Sequence, residues 1–232
     1  MATIASKLDE VSGRIARACD AAGRPVSSVT LLAVSKTFSA DAVLEALAAG
    51  QTRFGENYVQ EALDKMSALT AARQQLEWHL IGPLQSNKTR VVAEHFDWVH
   101  SVDRLKIAQR LSEQRGAHLP ALQVCLQVNI SGEASKSGLA PAEVEPVARA
   151  VAALPRLRLR GLMAIPEGGG DLDSQRRPHR ALRDLLDRLN AEGLALDTLS
   201  IGMTADLEAA VLEGATIVRV GTAIFGGRST AV

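Results

Sequence analysis

The chain carries no excess of either charge, its 26 basic side chains being balanced by 26 acidic ones. That balance removes the electrostatic case for a nucleic acid or an anionic membrane as partner, since both favour a basic patch. Cysteine is scarce: Cys19 and Cys125 are too few and too far apart to build a disulfide framework or a metal site. A reducing, cytoplasmic compartment is therefore expected. The amino-terminal stretch lacks the long apolar core of a signal peptide, and no apolar run reaches the roughly 18 residues of a membrane span. Nor does a linker, repeat or low-complexity tract divide the 232 residues; GGGD at 168–171 reads as one flexible loop after a strand. What remains is a soluble intracellular protein, long enough to bury a full core.

What the chain does have is alternation, organised around the stretch VTLLAVSK at 29–36. Val29 to Val34 is an unbroken apolar or β-branched run, which suits a strand buried on both faces. Before it, Ile4, Leu8, Val11, Ile15 and Ala18 recur at helical steps, and this helix stops near Gly23 and Pro25. After it, SADAVLEALAAG has a capping Ser39 and a terminating Gly50. A short strand into FGEN, a helix from Tyr58 to Ala72, the strand EWHLIG and a helix ending near His95 follow. Next come the strand DWVHSV and the helix DRLKIAQRLSEQRG. The second half keeps the rhythm: LQVCLQVNI, a helix with Pro141 in its first turn, LRLRGLMAI, and a helix over 173–193 with Leu182, Leu185, Leu186 and Leu189 on one face. DTLSIGM, the helix ADLEAAVLEG and the strand TIVRVG complete the set. Eight strand signals alternating with helices in a chain of this length predict a single α/β domain over 1–232: a (β/α)8 TIM barrel spanning 29–226, preceded by an extra helix within 1–24. A doubly wound open sheet would produce similar alternation.

In such a barrel the residues just after each strand build the site. Here they are Lys36, then Glu56 and Asn57, Gly82 with the segment 85–88, and Ser101 with Asp103. Asn129, Glu133 and Lys136 follow, then Met163 with Ala164, Gly202 to Thr204, and Gly221 with Thr222. A lysine closing a hydrophobic strand invites a chemical explanation, because its ammonium must be desolvated or paired; the plainer reading is that the chain there meets water. SIGMTAD and VGTAIFGG bring glycines and hydroxyls to the last two strand ends, where barrels bind phosphate through backbone amides. Arg219 lies inside TIVRVG and must find an anion, an acceptor or water, a structural ion pair being the plainest solution. A lysine and a phosphate site at one mouth fit two chemistries. One is an aldolase whose lysine condenses with a sugar phosphate; the other is a pyridoxal phosphate protein whose lysine holds the cofactor aldehyde. An interior arginine favours the second slightly, since a cation at the pyridine nitrogen keeps that nitrogen unprotonated and weakens the ring as an electron sink.

Seven segments carry a resemblance: LLAVSKT around Lys36, FGENYVQEALDK at 54–65, WHLIGPLQSNK at 78–88, HSVDRLKIA at 100–108, QVNISGEASKSG at 127–138, LRGLMAIP at 159–166, and SIGMTADLEAAVLEGATIVRVGTAIFG at 200–226. In these the chain resembles the pyridoxal phosphate homeostasis protein family, also known as the YggS or PROSC family. The resemblance implies the barrel of the alanine racemase amino-terminal domain and pyridoxal 5'-phosphate as cofactor. It implies Lys36 as the Schiff-base lysine, Arg219 as partner of the pyridine nitrogen, and Ser200, Gly202, Thr204, Gly221 and Thr222 as the phosphate neighbourhood. Asn57 and Met163 would lie near the ring. The family usually reads GMS where this chain has Gly202-Met203-Thr204; threonine keeps the hydroxyl.

The implied function is to buffer or deliver the cofactor, with apo pyridoxal phosphate enzymes as recipients, as a monomer and without established turnover. The competing class is an amino-acid racemase, which needs a second acid/base group opposite the lysine. In alanine racemases that group is a tyrosine from an additional carboxyl-terminal domain. Here only 10 residues follow Thr222, and the sole tyrosine, Tyr58, reads as a packing residue at a helix start. His79 and His100 read as hydrogen-bonded structure, RRPHRALR as a solvated helix face, and Lys136 as a second amine near the mouth for receiving or releasing the aldehyde.

Overall fold

Runs of three to seven residues become eight parallel strands: β1 Thr30–Val34, β2 Arg53–Glu56, β3 Glu77–Leu80, β4 Trp98–Val102, β5 Leu122–Gln127, β6 Leu157–Met163, β7 Thr198–Ser200 and β8 Ile217–Val220. Each pairs with the next, and β8 returns to β1 in register from Thr30 opposite Ile217 to Ala33 opposite Val220. The sheet is therefore closed, and the open alternative is excluded. The computed structural model describes residues 2–133, 136–166 and 169–227; Gly168, part of the expected GGGD loop, lies outside them.

Helix α1 Ile4–Ala21 precedes the barrel, and one helix follows each strand in turn: α2 Ala40–Ala48, α3 Val59–Ala68, α4 Thr89–His95, α5 Leu105–Gln114, α6 Val144–Ala152, α7 Leu172–Ala191, α8 Leu207–Leu212 and α9 Thr222–Phe225. The first helix is capped by Thr3, whose side chain accepts from the Ser6 amide, and it buries Leu8, Val11, Ile15, Ala18 and Cys19. It packs against α2, α8 and α9. Because α8 and α9 have only six and four residues, α1 covers the outer ring where they leave it thin. The Arg14–Glu208 pair, at 2.8 Å, ties α1 to α8.

Three local expectations change in the folded chain. The helix over 58–72 ends at Ala68, and the chain continues as a 3-10 turn, Thr70–Gln75. Tyr58 caps α3 and is 54% exposed, so it is not a packing residue. RRPHRALR is not simply a solvated face: Arg176, Arg180 and Arg183 reach Glu213, which is 1% exposed, at 2.7, 2.9 and 3.1 Å. Helical spacing puts those three arginines on the side of α7 that meets α8. Among the described residues no helix is long and apolar enough to cross a membrane.

Strand alternation divides the core in two. Ala33, Phe54, Val99 and Val218 belong to the large cluster shared with the helices, whereas Leu32, Val34, Ile81, Trp98, Cys125, Met163 and Ile217 form a smaller one. Successive strand residues face opposite sides, so the smaller cluster fills the barrel interior. His79, His100, Ser200 and Arg219 share that interior as buried polar groups.

Candidate functional site

Beyond β1 the ladder continues for one residue, the Ser35 amide bonding the Gly55 carbonyl at 3.0 Å, and Lys36 then turns half-buried into the mouth. Thr37 follows with φ of +67°, a left-handed conformation that a β-branched residue resists. A buried polar cluster holds this turn. Lys65, on α3 and 6% exposed, spends its three ammonium protons on the Ser35 carbonyl, Glu56 and Glu61, at 2.6, 2.7 and 2.7 Å. Ser35 Oγ donates to Glu56, and the Thr37 amide donates to Glu61. Both neighbours of Lys36 are thereby clamped to one buried lysine. Burial pushes the Glu56 carboxyl above its usual range against the pull of Lys65 and Ser35. Sequence reading named Glu56 but not Lys65, whose signal was its place four residues after Glu61, beside Met66 on the buried face of α3.

Lys36, Asn57, Thr204, Arg219, Gly221 and Thr222 line one cleft of about 370 Å³ at the carboxyl ends of the strands. Met163, Ser200 and Gly202 do not line it. Met163 is buried in the interior cluster, and Ser200 is buried beneath Arg219. Gly202 has φ of +92°, and a Cβ there would meet Ala210 Cβ at 2.6 Å, so it serves the seating of α8. Lys136 pairs with Glu133 at 2.6 Å in an adjoining cleft of about 190 Å³ that shares Asn57, Ile81 and Ile165 with the first.

One end of the cleft is rich in donors. Thr204 Oγ1 lies 3.3 Å from Thr222 Oγ1, and the amides of Thr222 and Ala223, opening α9, find no backbone acceptor among the described residues. A Cβ on Gly221 would sit 3.1 Å from the Val34 carbonyl oxygen, so glycine lets the start of α9 approach β1. Asp206 shapes the neighbouring loop by accepting from the Met203 amide at 2.7 Å and bonding buried His179 at 2.9 Å. Burial pushes the Asp206 carboxyl up, but the bonds from His179 and Met203 outweigh it and hold the group below its usual range. Asn57 adds a buried Oδ1 with no protein partner among the described residues.

Arg219, 4% exposed, donates from Nη1 to the Ser200 carbonyl and Oγ at 2.5 and 2.7 Å and from Nη2 to the Ala164 carbonyl at 2.9 Å. It makes no ion pair among the described residues, so the expected structural pair is replaced by neutral acceptors. Burial brings its pKa down to about 10, which leaves it charged at neutral pH. The Nε hydrogen and one Nη2 hydrogen find no acceptor among the described residues. A larger cleft of about 550 Å³ lies at the opposite, amino-terminal mouth, where Arg53 pairs with Glu77 and Arg160 with Asp197; its charges already answer one another.

The family described as alanine racemase, N-terminal domain, matches residues 7–229. The chain is 62% identical over 228 residues to the pyridoxal phosphate homeostasis protein of Pseudomonas aeruginosa, covering 98% of this chain and 97% of that protein. It is similar to the solved structure of PipY from Synechococcus elongatus PCC7942 with pyridoxal phosphate bound, at a TM-score of 0.85 and 39% identity, over 97% of this chain and all of that one. An alanine racemase from Clostridium difficile 630 shares the fold alone, with a TM-score of 0.68 at 13% identity, over 95% of this chain and 57% of its own.

Proposed function

The chain belongs to the pyridoxal phosphate homeostasis protein family, and we propose that it binds pyridoxal 5'-phosphate in the cleft around Lys36, holding the cofactor for other proteins instead of turning over a substrate of its own. One observation carries this reading: an amine, a buried guanidinium with two unspent N–H groups and a donor-rich end with two threonine hydroxyls meet at a single cleft. About 370 Å³ is a fitting size for a small phosphorylated ligand, and a phosphate would supply the acceptors that the Thr222 and Ala223 amides lack.

When bound, pyridoxal phosphate supplies an aldehyde that condenses reversibly with primary amines and a ring that withdraws electrons from what it carries. Lys36 offers the amine and the covalent link, held in place by the clamp on Ser35 and Thr37. Arg219 donates toward the ring nitrogen and keeps that nitrogen unprotonated. Thr204, Thr222 and the backbone at Gly221 hold the phosphate, while Ser200 and Gly202 support them from below. Asn57 presents a buried acceptor beside the ring, and Met163 belongs to the apolar floor. Lys136 stands in the adjoining cleft as a second amine. The proposed setting is a cytoplasmic monomer that delivers to apo pyridoxal phosphate enzymes.

Borohydride treatment of the yellow protein should fix the cofactor on the peptide containing Lys36, and Lys36→Ala should abolish the label. A label on another lysine, with Lys36→Ala binding normally, would remove the reading. Gly221→Val would force a branched side chain against Val34 and should weaken pyridoxal phosphate much more than pyridoxal in a binding titration; equal losses would put the phosphate elsewhere. Racemisation needs a base on the face opposite Lys36, and Tyr58 does not line the cleft. Incubation of the loaded protein with L-alanine in deuterated water should therefore give neither Cα exchange nor D-alanine above the rate of free cofactor. Exchange that disappears in Lys36→Ala would favour the racemase.

A further inference from the structure

The two interior histidines belong to neither the cofactor cleft nor the apolar core, yet they join both mouths of the barrel. Arg219 Nη1 lies 2.7 Å from Ser200 Oγ, Ser200 Oγ 2.7 Å from His100 Nδ1, His100 Nε2 2.8 Å from His79 Nδ1, and His79 Nε2 2.8 Å from Glu77. Ser200, His100 and His79 are buried, whereas Glu77 is part-exposed in the cleft at the amino-terminal mouth. The residues come from β8, β7, β4 and β3, so the chain crosses the barrel interior.

The direction of every bond follows from its upper end. A guanidinium only donates, so Ser200 Oγ accepts from Arg219. The serine hydrogen must then go to His100 Nδ1, because Ser200 Oγ has no other partner among the described residues and a buried hydroxyl is costly to leave unpaired. His100 is thereby the tautomer with hydrogen on Nε2, and it donates to His79 Nδ1. His79 takes the same tautomer and donates to the Glu77 carboxylate. The chain runs one way, from a cation to an anion, and such chains polarise their members cooperatively.

We infer that Ser200, His100, His79 and Glu77 form one polarised hydrogen-bonded chain that positions Arg219, so that a carboxylate at the amino-terminal mouth acts on the ring-nitrogen end of the cofactor cleft. The cofactor half of this inference rests on the proposed function; the chain itself does not. These are positioning residues, since none but Arg219 lines the cleft with Lys36. The charged groups around the far end are Arg53, 3.2 Å from Glu77, with Asp97, Arg115, Arg160 and Asp197 along the same mouth; buried Cys125 lies in the interior. Trp98 stacks on His79 at 5.3 Å and fixes the plane of its ring.

Two measurements test it. In cofactor-free, 15N-labelled protein, long-range proton–nitrogen spectra should show both His79 and His100 neutral with hydrogen on Nε2; hydrogen on Nδ1 of either would overturn the chain. The second uses the cofactor and its analogue with C–H in place of the ring nitrogen, a comparison in which the phosphate cancels. Glu77→Gln keeps an acceptor for His79 but loses the charge. It should narrow the preference for the true cofactor about threefold and move the His100 nitrogen resonances. Asp197→Asn, a carboxylate of the same mouth outside the chain, should leave both unchanged. A Glu77→Gln preference equal to wild type, or an Asp197→Asn effect as large, would sink the coupling. Loss of all cofactor binding at Lys36 with the tautomers intact would instead count against the proposed function alone.

Discussion

Lys65→Met is expected to lower folding stability by about 3–5 kcal/mol at pH 7, the usual cost of breaking a buried pair from one side. Among the described residues the lysine is the sole cation bonded to Glu56, and both are buried. Without it, Glu56 keeps only the Ser35 hydroxyl, and the Ser35 carbonyl and Glu61 each lose a charge-assisted partner. Burial already raises the Glu56 pKa. In the variant it should rise further, so that the unfavourable buried charge is felt above the unfolded pKa and fades as pH falls and the carboxyl takes up a proton. Urea unfolding should therefore show a larger deficit at pH 7 than at pH 5, and Glu56→Gln added to Lys65→Met should recover part of it. Since the same cluster clamps Ser35 and Thr37, cofactor binding should weaken in step. A loss below about 1 kcal/mol at pH 7 would mean that the cluster is not the anchor described here.

Stability is also expected to fall steeply on acidification below about pH 6.5, the ordinary histidine pKa. Burial pushes His79 down, with Glu77 opposing, and pushes His100 well down, with His79 and Arg219 adding to the effect. Both rings are thus neutral in the folded chain and become protonated first in the unfolded one. For groups of this kind the stabilisation is fully present above the unfolded pKa and is lost as pH falls toward the folded values. Two such histidines correspond to at most about 2.7 kcal/mol for each pH unit below that point. Glu77, held below its usual range first by the bond from His79, adds a further loss at lower pH. Urea midpoints at pH 7.5 and 5.5 measure this, and His100→Gln should flatten the slope. Equal stability at both pH values would show that the rings are not held neutral.

Much of the site was legible because its residues break a local pattern. Lys36 ends an apolar run, Arg219 interrupts one, and the loops at 202–204 and 221–222 combine glycine with hydroxyls. Each departure is visible within a few residues, and Lys36, Arg219, Thr204, Gly221 and Thr222 do share a cleft. Lys65 was not legible in that way. A lysine four residues after a glutamate on a helix usually marks a solvated pair; here the helix turns it inward beneath β1 and β2.

The alternation of strand and helix is a property of the sequence itself, because strands covered on both faces read as continuous apolar runs and helices announce their caps and periodicity over a few turns. The lysine at the end of one run and the arginine inside another are likewise local facts. Closure of the sheet decided the rest. It brought Arg219 onto Ser200, Ser200 across to His100 over 100 positions of chain, and His100 onto His79, whose bond to Glu77 two residues away on the same strand is local. It also set Met163 and Ser200 in the barrel interior and Gly202 against α8, so that none of the three lines the cleft. A hydrogen bond depends on separation and angle to within a few tenths of an ångström, and neither quantity exists until β8 has paired with β1.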